Sequence, residues 1–174
     1  MSQPVFGHVG SYQPGDTFRN RIELALSGVH RPRRAGVCGT QQLGAESIVL
    51  AGQYEDDDFG EDEILYAGNG GRDPKTGHQV RNQVATGTNL ALLHSVEAGR
   101  PVRVLRKVPA EDDGPDVYRY EGLYWVMGAD FGPGKSGLGV YVFRLRPFTS
   151  RVPVGHDPCR ARPLSKKEGA PVRF

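Results

Sequence analysis

The chain has 174 residues with 24 glycines, 13 prolines and 37% hydrophobic residues, a composition that argues against a helical bundle and favours one loop-rich β domain. No apolar run approaches the ~20 residues of a membrane span, and the first residues lack the basic and apolar regions of a signal peptide. The formal charge of +2 is unevenly distributed: seven acids and no base lie between residues 54 and 66, so the remainder carries +9 and suits a polyanion such as nucleic acid.

The first predicted elements are a strand, a basic loop and two short strands around the acidic segment. Residues 17–26 alternate between apolar and charged side chains, which predicts a half-buried strand. Residues 27–40 contain glycine, proline and three arginines and predict a basic loop. Apolar runs at 46–52 and 63–68 predict two strands, and the glycines of 68–77 predict a turn.

The second half of the chain predicts one helix and three more strands. The helix covers residues 88–98, with Leu90, Leu93 and Val96 or Glu97 in helical register, Thr88 as N-cap and Gly99 at the end. The strands are predicted at 101–108, 118–127 and 138–148. This order predicts an α+β, mainly β fold, a small curved β barrel with one or two covering helices.

Composition divides the chain into one domain and a tail. Residues 1–150 hold all the predicted elements, whereas 151–174 are rich in proline, arginine and lysine and predict a flexible basic tail. The two cysteines, Cys38 and Cys159, form no metal-type pair, which indicates a reducing compartment.

Metal binding and catalysis have little support in the pattern. The acids after Tyr54 are consecutive, whereas a calcium loop needs ligands at alternate positions and a terminal glutamate. Most of this run is expected to be a solvated acidic loop, in particular Asp58, Glu61 and Asp62. The five histidines are scattered and no CxxC occurs, so a histidine–metal nuclease or a nucleophilic enzyme is not indicated. We therefore expect no metal, no cofactor and no catalytic residue.

Two tyrosines and an aspartate supply the parts of a cytosine pocket. A base that leaves the duplex must be stacked between flat or apolar faces and hydrogen-bonded along its Watson–Crick edge. Cytosine presents an amino donor that a carboxylate can accept. Tyr54, Asp57 and Tyr66 provide these groups, although such combinations are common and Tyr66 could equally be a core residue.

Six separated blocks carry a family resemblance. They are "SGVHRPRRAGVCG", "SIVLAGQYEDD", "YAGNGGRD", "TNLAL", "GRPVRVLRKV" and "YRYEGLYWV". In order and spacing they resemble the SRA (SET- and RING-associated, or YDG) domain over roughly residues 5–148. The resemblance implies a curved PUA-like β barrel that reads 5-methylcytosine by flipping the base out of DNA.

The resemblance also implies roles for individual residues. Tyr54 and Tyr66 correspond to the rings that sandwich the base, and Asp57 to the acid that accepts from the cytosine edge. The rest of the pocket would be lined by backbone groups of Ala51, Gln53, Ala67 and Gly68, with a recess for the methyl group near Tyr54 and Asn69. The positions that would approach the DNA groove or backbone are Arg33, Arg34, Gly36, Cys38 and Arg72.

The sequence departs from the family pattern at several positions. The YDG triplet has Glu121 in place of aspartate, Ala67 replaces the threonine after the second pocket tyrosine, and Gln53 replaces a glycine before the first. Arg34 replaces the hydrophobic residue that fills the gap left by the flipped base. The segment after Arg72 is shorter than in the animal readers, where it carries a finger that reads the opposite strand, so a preference for hemimethylated CpG is not expected.

These features predict a reader of 5-methylcytosine, with 5-hydroxymethylcytosine as a second ligand, little sequence specificity and no enzyme activity. The expected partner is double-stranded DNA with modified cytosine, with no membrane and no small-molecule substrate. The expected location is the bacterial cytoplasm, at the nucleoid. Two alternatives stay open: the recognition part of a modification-dependent restriction endonuclease, and a PUA-like RNA-binding domain.

Overall fold

The computed structural model describes residues 3–52 and 56–148, which form a mainly β domain with two helices. This confirms the predicted fold class. The elements, in chain order, are β1 (Thr17–Phe18), α1 (Arg21–Ser27), β2 (Val37–Thr40), β3 (Gly44–Leu50), β4 (Asp58–Phe59), β5 (Ile64–Ala67), α2 (Gly87–Ala98), β6 (Val102–Val108), β7 (Val117–Pro133) and β8 (Gly139–Pro147).

The strands form one eight-stranded sheet in the order β2-β3-β6-β7-β8-β5-β4, with β1 paired to β7. Strands β3 and β6 are parallel, and the other pairs are antiparallel. All seven residues of β3 are buried, which fits a strand covered on both faces.

Each face of the sheet packs on its own core. Ile48 and Val104 contribute to a large cluster that includes Leu92 of α2. Their neighbours Val49 and Leu105 contribute to a smaller cluster around α1. Successive residues of a strand point to opposite faces, so β3 and β6 serve both cores. Among the described residues, no helix is long and apolar enough to cross a membrane.

A buried ion network ties the N-terminal segment to the sheet. Glu46 and Arg103 are 1% and 0% exposed, respectively. Glu46 accepts from Val5 N–H at 2.8 Å and from Arg31, while Arg103 donates to the Val5 carbonyl at 2.6 Å. Because Arg31 lies within the predicted basic loop of residues 27–40, the network also ties that loop to the sheet.

The predicted strand at 17–26 is wrong beyond residue 18, because α1 begins at Arg21. Asn20 is an N-cap whose side chain accepts from the Glu23 N–H at 2.9 Å, and Gly28 ends the helix with φ 81°. Only Leu24 of the helix is buried, whereas Leu26 is 79% exposed. The alternating pattern therefore did not correspond to a sheet face.

The helix predicted at 88–98 is confirmed as α2, and Gly99 ends it as predicted. Its N-cap is Thr86 and not Thr88. The predicted apolar stripe is confirmed in part. Leu93 and Val96 are partly buried and pack against the large core cluster, whereas Leu90 is only half-buried and Glu97 is exposed. The buried residues of α2 are Asn89, Ala91, Leu92 and Ser95.

The other predicted strands are confirmed, with differences in length. The strand predicted at 118–127 continues to Pro133, and the predicted basic loop contains β2 at its end. The boundary at residue 150 and the basic tail at 151–174 lie outside the described residues, so both remain predictions.

Candidate base-binding pocket

A cavity of about 200 Å³ lies between the segment 31–36, which we call the arginine loop, and strands β3 and β5. A cavity of about 150 Å³ holds benzene, so this one has room for a substituted six-membered ring. Its lining residues are Arg21, Arg34, Ala35, Gly36, Val49, Ala51, Asp57, Tyr66 and Asn69.

Tyr66 forms the aromatic wall of the cavity. It lies on β5, is 2% exposed, and belongs to the large core cluster as well as to the cavity lining. Its hydroxyl donates to the Gly36 carbonyl at 3.1 Å. A Cβ at Gly36 would lie 2.8 Å from that hydroxyl, so only glycine leaves room for this contact.

Asp57 places a carboxylate in the same cavity. One of its oxygens accepts a hydrogen bond from the Ala67 N–H at 2.7 Å, which sets the direction of the side chain. Asp57 and Tyr66, which the sequence assigned to one pocket, are thus brought together by the fold.

The three consecutive aspartates have different environments. Asp56 is 4% exposed and accepts from the Lys135 N–H at 3.0 Å, so it holds the turn between β7 and β8. Asp57 faces the cavity, whereas Asp58 is exposed, as are Glu61 and Asp62. The expectation of a largely solvated acidic loop is confirmed for these three exposed residues. The structural role of Asp56 was missed.

The arginine loop is held from beneath by two side chains that converge on one carbonyl. Arg21 donates to the Ala35 carbonyl at 2.7 Å and to Pro32 at 2.8 Å. His30 contacts the Ala35 carbonyl through Nε2 at 2.9 Å and Ser47 through Nδ1 at 2.8 Å. Sequence reasoning missed Arg21, because it placed this residue on the polar face of a strand.

His30 is neutral at physiological pH. Burial lowers its pKa to about 3, and the positive charges of Arg21, Arg103 and Arg31 act in the same direction. Since a carbonyl can only accept, Nε2 carries the proton and Nδ1 accepts from the Ser47 hydroxyl. His30 therefore supports the arginine loop as a neutral side chain.

The predicted groove residues have different positions. Arg33 and Arg34 are exposed on the arginine loop, and Arg34 also lines the cavity. Cys38 lies in β2 with a buried thiol near Glu46, and burial raises the pKa of that thiol. Arg72 donates through Nε to the Gly77 carbonyl at 2.7 Å, within its own turn. The structure does not bring Cys38 or Arg72 to the cavity lining.

The remaining pocket predictions divide in the same way. Ala51 and Asn69 line the cavity. Ala67 and Gly68, also predicted to line it, are not among the lining residues: the Ala67 N–H donates to Asp57, which does line it, and the Gly68 N–H donates to the Tyr141 carbonyl at 2.7 Å. Gln53 and Tyr54 lie outside the described residues, so the second ring of the sandwich remains a prediction.

The residues that the structure describes contain no group of three or more histidine, cysteine or acidic side chains placed to hold a metal ion. The chemistry available at the cavity is that of an aromatic face, one carboxylate and two guanidinium groups. Such a site can stack a planar ring and accept from its amino group.

Comparisons with known proteins point to one family. The family model described as "SAD/SRA domain" matches residues 5–150. The histone-lysine N-methyltransferase family member SUVH9 of Arabidopsis thaliana is 35% identical over 184 residues, covering 98% of this chain and 28% of that protein. The chain therefore spans little more than a quarter of the length of this relative.

Solved structures show the same fold. A structure named "Modification dependent TagI restriction endonuclease" has a TM-score of 0.80 and 35% identity, covering 93% of this chain and 60% of that one. The complex of the SUVH5 SRA domain with hemimethylated CG DNA has a TM-score of 0.71 and 33% identity, covering 85% and 97%. The same domain bound to fully hydroxymethylated CG DNA has a TM-score of 0.70 at 33% identity, with the same coverage.

Proposed function

The chain belongs to the SAD/SRA domain family, and we propose that it binds double-stranded DNA containing 5-methylcytosine by holding the flipped base in the cavity beside Tyr66 and Asp57. The observation that carries the proposal is the meeting of one aromatic wall and one carboxylate in a cavity of base size. The complexes of the related SUVH5 SRA domain with methylated DNA support it.

Each part of the pocket has a task in this proposal. The Asp57 carboxylate accepts from the cytosine amino group, and Tyr66 stacks on one face of the ring while Tyr54 stacks on the other. Base extrusion costs a few kcal/mol, and stacking on aromatic side chains returns ~1–3 kcal/mol per base. The two terms are comparable, so base binding depends on both rings.

Phosphate contacts supply most of the affinity. Arg33 and Arg34 are exposed on the loop that borders the cavity, and Arg34 also lines it. In this proposal Arg34 fills the gap left by the base. Binding through such contacts is independent of sequence and weakens steeply as salt is raised. We therefore propose little preference for flanking bases.

The 5-substituent adds a small increment. Full burial of one methyl group contributes ~0.8 kcal/mol, which corresponds to about a fourfold preference over unmodified cytosine. A hydroxymethyl group fits the proposal as a second ligand, since the related SUVH5 domain is known bound to hydroxymethylated DNA.

We further propose that this chain reads DNA without cutting it, acting at the nucleoid in the cytoplasm. The alternative is that it is the recognition part of a modification-dependent restriction endonuclease, as the likeness to TagI suggests. Incubation with methylated plasmid and magnesium separates the two. Intact plasmid is expected, and cleavage would refute the reader-only proposal.

The binding proposal is tested by titrating three duplexes of one sequence that differ only at a single cytosine: unmodified, 5-methyl and 5-hydroxymethyl. Fluorescence anisotropy at fixed salt should show tighter binding of both modified duplexes. A structured RNA serves as competitor, and stronger binding of RNA than of methylated DNA would favour an RNA-binding function. Equal affinity for all three duplexes would overturn the proposal.

A further inference from the structure

The position of Asp57 depends on a short wall segment, residues 67–69, at the end of β5. The Ala67 N–H fixes one carboxylate oxygen of Asp57 at 2.7 Å, and Asn69 lines the cavity itself. Any shift of this segment therefore moves both the acceptor for the cytosine amino group and one side of the cavity.

Gln83 holds the wall from behind. Its Nε2 donates to the Gly68 carbonyl at 2.7 Å, and its Oε1 accepts from the Tyr141 N–H at 2.9 Å. The side chain thus bridges the wall to β8. Gln83 is only 3% exposed, although the residues on either side of it in sequence are exposed.

Asn89, on the first turn of α2, holds the next residue of the wall. Its Oδ1 accepts from the Asn69 N–H at 2.8 Å, and its Nδ2 donates to the Asn69 carbonyl at 2.8 Å and to Val84 at 2.9 Å. The Asn89 amide bonds both the N–H and the carbonyl of Asn69, as a neighbouring strand would in a sheet. Asn89 is 2% exposed.

The fit around Gly68 is tight. A Cβ on Gly68 would lie 2.6 Å from the Asn89 Oδ1 and 2.7 Å from the Gln83 Oε1. The two amide oxygens therefore lie close to the same glycine, and no side chain fits at this position without displacing one of them.

We propose that Gln83 and Asn89 are positioning residues for base recognition, which fix the wall segment so that Asp57 meets the amino group of the flipped cytosine. The inference rests on the proposed function and extends it to residues that do not line the cavity. Loss of either amide leaves the backbone groups of the wall without their buried partners, and the wall moves to satisfy them. The result is a weaker preference for the modified base, with phosphate contacts unchanged.

A purely structural role makes a different prediction. Both amides stabilise the fold, so their removal lowers the melting temperature in either case. If they act only on stability, the folded fraction of a variant will discriminate between duplexes as well as wild type does. The ratio of the two dissociation constants therefore separates the roles, because it is independent of the folded fraction.

The experiment compares Gln83→Ala and Asn89→Ala with a matched control, Ser95→Ala. Ser95 lies on α2, as Asn89 does, and is a buried polar residue with 1% exposure. Its hydroxyl accepts from the Ala45 N–H of β3 at 2.8 Å. Dissociation constants for methylated and unmodified duplexes are measured at 10 °C, with circular dichroism to establish that each variant is folded. Asn89→Asp, which keeps the acceptor oxygen, is included in case Asn89→Ala does not fold.

We expect the preference of wild type, about fourfold, to fall below twofold in the Gln83 and Asn89 variants and to persist in Ser95→Ala. The slope of affinity against salt should be the same in wild type and in the three alanine variants. A wild-type preference in folded Gln83→Ala and in the folded Asn89 variant would overturn the inference. Absence of any preference in wild type would instead overturn the proposed function.

Discussion

At the scale of single residues, Asp57 carries the chemical part of the proposal, and Asp57→Asn tests it. The new amide oxygen can still accept from the Ala67 N–H, so the cavity keeps its shape, but an amino group replaces the second acceptor. A hydrogen bond to a charged group contributes ~1.5–3 kcal/mol, so affinity for the methylated duplex should fall at least tenfold. Anisotropy titration with the methylated duplex measures the change in affinity.

The neighbouring aspartate provides the control. Asp58 is exposed and one position away, so Asp58→Asn removes the same charge without touching the cavity lining. It should bind both duplexes within about twofold of wild type, since Asp58 does not line the cavity and salt screens a single exposed charge. Equal effects of the two substitutions would show that charge and not the cytosine edge explains the role of Asp57.

His30 predicts how stability depends on pH. Its pKa is about 3 in the folded protein, against 6.5 for an ordinary histidine, so the unfolded chain binds one more proton between these values. The free energy of unfolding therefore falls as the pH is lowered from about 6.5, by up to ~1.4 kcal/mol per pH unit. Above pH 7 the histidine is neutral in both states and contributes no pH dependence.

The variant His30→Gln removes the titrating imidazole and keeps an amide that can donate to the Ala35 carbonyl. The free energy of unfolding of both proteins is measured in urea from pH 7.5 to 4.5. Its slope against pH below about 6.5 should be smaller in the variant, by an amount that corresponds to the uptake of close to one proton. Other titrating groups, including carboxylates, contribute to both curves and cancel in the difference. Parallel curves would contradict a neutral buried imidazole.

At the scale of elements, the contact between the arginine loop and β5 sets the width of the cavity. Gly36→Ala places a Cβ 2.8 Å from the Tyr66 hydroxyl, so the ring or the loop must move. We expect the preference for the methylated duplex to be lost while salt-sensitive binding of unmodified DNA remains. Titration of both duplexes measures this.

A second substitution shows whether the cause is that one overlap. Tyr66→Phe keeps the stacking face and removes the hydroxyl, with loss of its bond to the Gly36 carbonyl. Combined with Gly36→Ala, it restores the space, so the double variant should resemble Tyr66→Phe alone and not Gly36→Ala. Additive losses in the double variant would place the effect elsewhere in the loop.

The elements also show where sequence patterns were sufficient. Strands β3 and β6 were predicted because short runs rich in valine, isoleucine and leucine have few alternatives in a mainly β chain. Helix α1 was missed because only Leu24 of its seven residues is buried, and one buried residue defines no hydrophobic periodicity. Its signals were local ones, the Asn20 cap and the Gly28 terminus.

The site was predictable only in part, for a related reason. Asp57 and Tyr66 are close in sequence and have the residue types that a base requires. Gln83 and Asn89 bond the backbone of Gly68 and Asn69, 15 and 20 positions away. A pattern of side-chain types along the sequence does not predict such contacts. The buried face of α2 was predicted only in part, since it presents the Asn89 amide and Leu92 beside the predicted Leu93 and Val96.

At the scale of the whole molecule, the uneven charge predicts how nonspecific binding is limited. Asp57 of the acidic run lines the cavity, and Glu61 and Asp62 are exposed in the turn between β4 and β5, in a chain that is otherwise basic. If these acids keep phosphates away from the cavity rim, Glu61→Gln with Asp62→Asn should tighten binding of methylated and unmodified duplexes equally. The expected gain is about two- to fourfold at 50 mM salt and less at 200 mM, because surface charges are screened.

The matched control removes two negative charges elsewhere, as Glu97→Gln with Glu111→Gln, both at exposed positions. Net charge changes by the same amount, so a general electrostatic effect would tighten binding to a similar extent in both double variants. A gain confined to the Glu61 and Asp62 pair shows that the local field at the rim is responsible. Since the ratio of the two duplexes reports only the contacts of the flipped base, it should stay at the wild-type value throughout. A changed ratio would mean that the acidic rim takes part in base selection itself.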